Sequence, residues 1–552
     1  MAYVSEKRQE QQCEDVDLSH HISDYARGFR VSPLKGLQKY IGREDMISFS
    51  GGMPHPAVFP FADISANILV PDSFSIAPTL TSPPRGALSW LWRLFGYDPS
   101  QERTSPIRVS KVPASGDAGL NLATALQYGP ATGLAETQRF THAFSARVFR
   151  PARSDFATLV HTGNTDAWGR CARALLNSGD TVLAEEWTYP SALATATPIR
   201  IDVLPVPIDG IGMRADKLRA LLAGWDDKKG RRPHVMYTVP VGQNPSGATM
   251  DLKRKREIYD ICVEFDVIIV EDDPYYFLQM DEYVSKDVRA GRAASEGEGD
   301  NEAFLGSLAP SYLSIDTQGR VIRLDTFSKT IAPGMRLGWF TCSPLFAERF
   351  ERVGETSTQS PCGLGQALAM QLLRTWTPDG FVRWLRGLRA QYTARRDFFV
   401  DALAGTFELE ERVATQGIWE GARVYTAYAR PHRGYRMMSE KKSRVPLFEF
   451  VPPSAGMFVW IKLNLAASPR HRTDDEEDTL EMQFWTHLAD AGVLTAPGWF
   501  FSAHIAHDGA EHAEPDFDVE GHLRLSFSLA TTDEMERGVK LFEKTLREFF
   551  QI

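Results

Sequence analysis

Lys329 stands in a setting that could make its amine a nucleophile: Val321-Ile-Arg-Leu-Asp-Thr-Phe-Ser-Lys-Thr-Ile-Ala-Pro-Gly-Met-Arg-Leu-Gly-Trp-Phe340. The apolar start of this stretch reads as a buried strand, and the Thr/Ser turn that follows carries the lysine. Burial disfavours the ammonium form, so a lysine at such a strand end gives up its proton more readily than one in water. The chemistry it would serve is a Schiff base to an aldehyde cofactor. Alone, Ser328-Lys329 also describes a surface turn; the companion segments are what favour chemistry. Val267-Ile-Ile-Val-Glu-Asp-Asp-Pro-Tyr-Tyr276 ends a second apolar run with three acids and two tyrosines. An acid at a strand end can pair with a ring nitrogen, keep it protonated and make a pyridine an electron sink. Asp273 is the candidate, with Glu271 and Asp272 structural or facing solvent. Tyr276 is the candidate donor to a phenolic oxygen on the same ring.

Val239-Pro-Val-Gly-Gln-Asn-Pro-Ser-Gly-Ala248 is a turn by composition, and its Asn244 amide is available to that same oxygen. His161-Thr-Gly-Asn-Thr-Asp-Ala-Trp168 runs from a strand into a helix. Free N–H groups there suit a phosphate and Gly163 permits close backbone approach, although an ordinary helix cap explains the same residues. Gly521-His-Leu-Arg-Leu-Ser-Phe-Ser528 alternates like a half-buried strand. It places Arg524 either to clasp a carboxylate with two bonds or to pair with a protein acid. His504, His507, His512 and His522 invite a metal reading, but their irregular spacing and intervening acids point to a solvated loop and no metal.

The elements that position these residues alternate short apolar strands with helical stretches from about Gly119 to Gln371, the pattern of a mainly parallel α/β sheet. Strands are expected at 158–161, 181–184, 234–238, 267–270 and 321–324, and helices at 167–176 and 483–491. In open parallel sheets, ligands bind beyond the carboxyl ends of the strands, so the loops after these runs should converge. Three stretches read as insertions. Residues 72–118 surround a helical segment, Ala87 to Phe95, that would be a lid, an interface element or simple packing. Residues 281–312 hold a solvated loop, and residues 415–446 are rich in Tyr, Arg and Lys without clear periodicity.

At 552 residues the chain suggests two or three domains, and 43% hydrophobic with 24% charged residues is ordinary for a globular protein. A net charge of −10 argues against a nucleic-acid surface. No apolar run is long enough for a bilayer, so no membrane partner is expected. The polar, partly acidic N-terminus lacks signal- and transit-peptide features, and Phe549-Phe-Gln-Ile552 matches no common sorting tag. Five cysteines without a CxxC pair speak against structural disulfides and zinc. A cytoplasmic, acidic, soluble protein is expected.

In order and identity these motifs resemble the fold-type I pyridoxal 5′-phosphate (PLP)-dependent aminotransferases of class I/II, from about Ile47 to Ser528. The resemblance implies a mainly parallel seven-stranded sheet in a large domain (51–379), with the insertions at 72–118 and 281–312. It implies a smaller α+β domain (380–552), and an N-terminal arm (1–50) serving the small domain and the site entrance. It also implies the site residues. Ser48-Phe-Ser-Gly-Gly-Met-Pro54, with Gly52, would close over substrate. Tyr128, in Tyr128-Gly-Pro-Ala-Thr-Gly133, would reach the phosphate in a neighbouring subunit. Gly163, Asn164 and Thr165 would form the phosphate cup, where the family often has Ser-Gln instead. Tyr189 would stack on the ring, and Asn244, Asp273 and Tyr276 would hold its oxygen and nitrogen. Thr326, Ser328 and Arg336 would bind phosphate around Lys329, and Arg524 and Asn244 would bind substrate.

The implied reaction is ping-pong transamination between an amino acid and a 2-oxo acid, 2-oxoglutarate being the expected acceptor, in a homodimer with shared sites. The 271–278 and 524–528 segments resemble the branch that holds the kynurenine/2-aminoadipate aminotransferases and the fungal aromatic-amino-acid aminotransferases, and the long insertions look most like the fungal aromatic enzymes; the alternative within the family is a 2-aminoadipate or kynurenine aminotransferase. A PLP-binding transcription regulator on the same fold would need a basic winged-helix domain. The fifty residues ahead of Gly51 are too few and too acidic for one. A catalytically dead scaffold conflicts with the full set of reactive positions.

Overall fold

The computed structural model describes residues 13–31, 52–78, 103–112, 120–291, 300–430, 445–470, 478–504 and 515–552. Seven strands form its principal sheet: β1 (Ala157–His161), β2 (Thr181–Glu185), β3 (Asp202–Val206), β4 (Val235–Thr238), β5 (Ile268–Asp272), β6 (Val321–Thr326) and β7 (Gly338–Cys342). Their order is β1-β7-β6-β5-β4-β2-β3. β7 runs antiparallel to both of its neighbours, and the other pairings are parallel. This is a mainly parallel seven-stranded α/β sheet, as the resemblance implies. Helical crossovers cover both faces of such a sheet, which is why its central strands are continuous apolar runs. β3 and β7 were not among the expected strands. β3 carries Pro205, which an edge strand tolerates, and β7 opens with a glycine directly after the lysine turn.

The pleat sorts these runs into two cores. Ile268, Val270, Ile322 and Leu324 pack on one face, and Ile269 and Val321 on the other. In register, Leu324 opposes Asp272 and Arg323 opposes Glu271. The helix after β1, α1 (Asn164–Leu175), buries Ala167, Trp168, Cys171, Ala172 and Leu175, and its N-cap Gly163 has φ +105.

A second sheet has six antiparallel strands, β8 (Glu408–Val413), β9 (Arg423–Tyr428), β10 (Phe448–Phe450), β11 (Phe458–Asn464), β12 (Ala496–Pro497) and β13 (Glu520–Ser526). Their order is β8-β9-β10-β11-β13-β12. Helix α2 (Gly363–Thr406) leads into it and breaks at Thr377, where φ is +64, because Pro378 excludes the α conformation from the residue before it. The terminal helix α3 (Thr532–Phe550) starts in a capping box of Thr531 and Glu534 and packs on α2.

Three expectations change. Strands Asp63–Leu69 and Thr104–Ser110 pair antiparallel, so the 72–118 insertion is tied off at its base, while Ala87 to Phe95 lie outside the described residues. Residues 415–446 do contain an ordered element: β9 buries Val424, Thr426 and Ala427, and its outward Arg423 and Tyr428 mask the alternation. His522 is buried in β13 between Trp187 and Trp460 rather than in a solvated loop; His507 and His512 lie outside the described residues. The described part of the N-terminal arm packs on the large-sheet layer. Ser23 N–H donates to Ala174 at 2.8 Å, and His20 and His21 meet Asp266, which also takes Arg320.

Candidate active site

The loops after β1, β2, β4, β5 and β6 meet the start of β11 and the end of β13 around a cavity of about 270 Å³. Asn164, Thr165, Tyr189, Tyr237, Asn244, Asp272, Tyr275, Thr326, Ser328, Lys329, Arg336, Phe458 and Arg524 line it. A larger cavity of about 330 Å³ lies among Gly210, Ser246, Trp419 and Tyr425, but no lysine lines it, so the chemistry belongs to the smaller one.

Lys329 lies in the turn after β6, partly buried. Burial, reinforced by the positive charges of Arg524 and Arg336, lowers its pKa from the ordinary lysine range. Thr326 Oγ1 donates to the Leu337 carbonyl at 3.2 Å and shares a 2.9 Å hydroxyl–hydroxyl hydrogen bond with Ser328 Oγ. Arg336, at φ +49, donates to the Pro333 carbonyl at 3.0 Å and lies 3.4 Å from Ser328 Oγ. Gly163 gives Arg336 clearance, since a Cβ there would lie 2.1 Å from its Nη2. The Gly163 N–H itself is committed to His161 Nδ1 at 3.1 Å. Burial pushes the pKa of His161 down to about 3, so its ring is neutral and free to accept.

Arg524 donates from Nη1 to Asn244 Oδ1 at 2.7 Å. Its guanidinium lies over the rings of Phe458 (3.9 Å) and Phe501 (4.8 Å). Burial lowers its pKa, Nε is buried without a hydrogen-bond partner, and among the described residues no carboxylate pairs with it. A clamp for a carboxylate is thereby left open.

The acid cluster corrects the sequence reading. Asp273 does not enter the cavity. Its carboxylate takes Arg323 Nη1 at 2.7 Å within a buried network of Lys255, Glu271, Arg323 and Asp325. Burial raises the pKa of Asp273 to about 6, against the pull of Arg323. Tyr276 is likewise behind the sheet, its ring 4.5 Å from the Arg323 guanidinium. Asp272 and Tyr275 line the cavity instead. The pleat is the reason: residue 272 shares a face with Ile268 and Val270, while 271 and 273 turn to the other. Asp272 accepts from Tyr237 Oη at 2.7 Å and Asn164 Nδ2 at 2.6 Å, and burial raises its pKa.

Three further expected site residues, Gly52, Tyr128 and Gly163, are not among the cavity's lining residues. Gly52 and Tyr128 are exposed, Tyr128 by 59%, and Tyr128 was expected to serve a neighbouring subunit. Sequence reasoning missed Asp272, Tyr275, Tyr237, His161 and Phe458. A strict count of alternation along 267–273, matched to Thr326 on β6, would have found the first.

The donor set suits a phosphorylated aromatic aldehyde. It offers hydroxyls and a guanidinium, a buried carboxylate that pairs with no cation among the described residues, and an amine whose pKa is lowered. Residues 120–416 match the family model for aminotransferase class I and II. The chain is 31% identical to an aromatic amino acid aminotransferase of Schizosaccharomyces pombe, over 97% of both chains. It is 32% identical to an L-tyrosine:2-oxoglutarate aminotransferase of Tapinella panuoides, again over 97% of both. Among solved structures, the Candida albicans aminotransferase Aro8 superposes with a TM-score of 0.79 at 33% identity, covering 98% of this chain and all of that one. The chain belongs to the class I and II aminotransferases.

Proposed function

We propose that this protein transfers the amino group of an aromatic L-amino acid to a 2-oxo acid, 2-oxoglutarate by preference, using PLP. The family uses that cofactor, and one observation carries the reading here. A single cavity gathers a lysine of lowered pKa, a buried carboxylate and an arginine that has no acidic partner among the described residues. Thr165, Thr326, Ser328 and Arg336, with the first N–H groups of α1, would hold the phosphate. Asp272 would face the ring nitrogen, Tyr275 and Asn244 the ring oxygen, and Tyr189 the ring face. When bound, the cofactor supplies an aldehyde carbon to carry nitrogen and a ring to take up electrons.

The chain's own residues do the rest. Arg524 binds the substrate carboxylate, with Asn244 fixing one edge of its guanidinium and Phe458 and Phe501 keeping water from its faces. Lys329 Nζ, neutral at lower pH than an exposed lysine, would take the proton from the substrate Cα and pass it to the cofactor's former aldehyde carbon, and would run the same transfer backward in the second half-reaction. Asp272 holds a proton at the ring nitrogen.

The aromatic preference is supported by the relatives' names and by Tyr189 and Phe458 lining the cavity. A homodimer is part of the proposal, with Tyr128, exposed on its own chain, serving the other subunit. So is a cytoplasmic location, supported by five free thiols; among the described residues no helix is long and apolar enough to cross a membrane.

The test is an absorbance titration of the cofactor-loaded protein. L-phenylalanine should abolish the visible band and 2-oxoglutarate should restore it, while Lys329→Ala should do neither. Bleaching by 2-aminoadipate or kynurenine but not phenylalanine would move the protein toward the second branch, in which a mouse relative is 28% identical over 77% of the chain. A protein that never takes up PLP would overturn the whole reading.

A further inference from the structure

We propose that Asn164 is a positioning residue for Asp272, acting at the ring-nitrogen end of the cavity through its side chain rather than at the phosphate end. The inference rests on the cofactor reading above and deepens it.

Asn164 is the first residue of α1, so its backbone N–H belongs to the helix terminus proposed to hold the phosphate. Its side chain turns away from that role. Nδ2 donates to Asp272 Oδ1 at 2.6 Å and to the Leu324 carbonyl at 3.1 Å, and Leu324 is the residue opposite Asp272 in the β5–β6 register. The other carboxylate oxygen takes Tyr237 Oη at 2.7 Å. Tyr237 is fully buried, its ring 4.7 Å from Trp168 on the same helix as Asn164. One helix therefore supports both arms of a clamp: Asn164 directly, and Tyr237 by packing.

Each carboxylate oxygen has one donor and keeps lone-pair capacity, so the group is fixed in rotation yet still able to accept a further hydrogen bond. Both donors are neutral. Among the described residues no cation pairs with Asp272, whereas its neighbours Glu271 and Asp273 share Arg323 on the opposite face. A buried carboxylate held only by neutral donors is poorly compensated, and a protonated ring nitrogen is the countercharge it lacks. The Asn side chain, longer than the serine often found at this position in the family, thus belongs to the proton-holding end of the site.

The experiment compares three probes on the apoprotein: PLP, pyridoxal (which lacks the phosphate) and inorganic phosphate. Asn164→Ala should weaken PLP and pyridoxal by the same factor, about tenfold, and leave inorganic phosphate unchanged. Tyr237→Phe, which removes one oxygen and little packing, should reproduce that pattern, and Asn164→Ser, which withdraws the amide from Asp272 with a smaller change, decides the matter if Asn164→Ala fails to fold. Loss of PLP and phosphate affinity with pyridoxal untouched would make Asn164 a phosphate ligand and overturn the inference while leaving the cofactor reading intact. Unchanged affinity for all three would overturn it as well. Wild-type apoprotein that binds neither PLP nor pyridoxal would overturn the cofactor reading and this inference with it.

Discussion

Replacing Gly163 with alanine separates the cost of backbone strain from the cost of moving Arg336. Gly163 has φ +105 and ψ 156, a region that costs an L-residue about 1–3 kcal/mol. The added Cβ would lie 2.1 Å from Arg336 Nη2 and 2.8 Å from its Cζ, so the guanidinium must retreat by more than an ångström. Its tethers are weak: one long contact of 3.4 Å to Ser328 and one bond of 3.0 Å to a carbonyl, on an exposed side chain. It will swing toward solvent rather than distort the turn. The fold then loses only the backbone term, and the phosphate loses one charge-assisted hydrogen bond worth about 1.5–3 kcal/mol. That is roughly 10- to 150-fold in the dissociation constant for PLP. Fluorescence titration of the apoprotein with PLP, beside a melting curve, reads both quantities. Gly334→Ala is the control, because a Cβ there meets nothing within 4 Å. A Gly163→Ala protein that binds PLP within twofold of wild type would refute the role given to the Gly163–Arg336 contact.

Two other perturbations follow from the buried acids. Asp272→Asn should cut turnover of L-phenylalanine about 100-fold or more with little change in melting temperature. Asp273→Asn should instead lower stability by about 3 kcal/mol, because Arg323 loses a buried partner, with turnover within severalfold of wild type; paired rate and melting measurements showing the reverse pattern would return the catalytic role to Asp273. Burial lifts the pKa of Glu481, which accepts the Gly498 N–H at 2.5 Å, to about 8. The folded state therefore holds a proton that the unfolded chain has released, and stability should fall by about 1.4 kcal/mol per pH unit between about pH 4.5 and 8 from this group alone. Denaturant midpoints for Glu481→Gln should lack that component, and an unchanged pH slope would show that Glu481 is ionised throughout.

The sheet was legible where apolar runs were long and ended in turn residues, as in β1, β4, β5 and β6. It was illegible where a proline or glycine interrupts the run, as in β3 and β7, and where outward Arg and Tyr hide the alternation, as in β9. At the site, Lys329, Arg336, Asn244 and Arg524 could be read because each sits alone in a distinctive turn or strand. Three consecutive positions 271–273 are all acidic, so composition offered no choice among them, and only the pleat separates a partner of Arg323 from a residue facing the cavity. Tyr237 acts through a hydrogen bond to Asp272, a residue 35 positions away, which no local pattern encodes.

The interleaving of acids along β5 bears on how the sheet finds its pairing. Moving β5 by one position would turn Asp272 toward the side where Arg323 lies between Phe149 and Tyr276, and would turn Glu271 toward the cavity. Misaligned strands would thus strand a guanidinium or a carboxylate in a dry interior, a penalty far steeper than a mismatch between two aliphatic side chains. The charges give the central strands an internal proofreading step, one that selects the correct alignment before any cofactor is present to reward it.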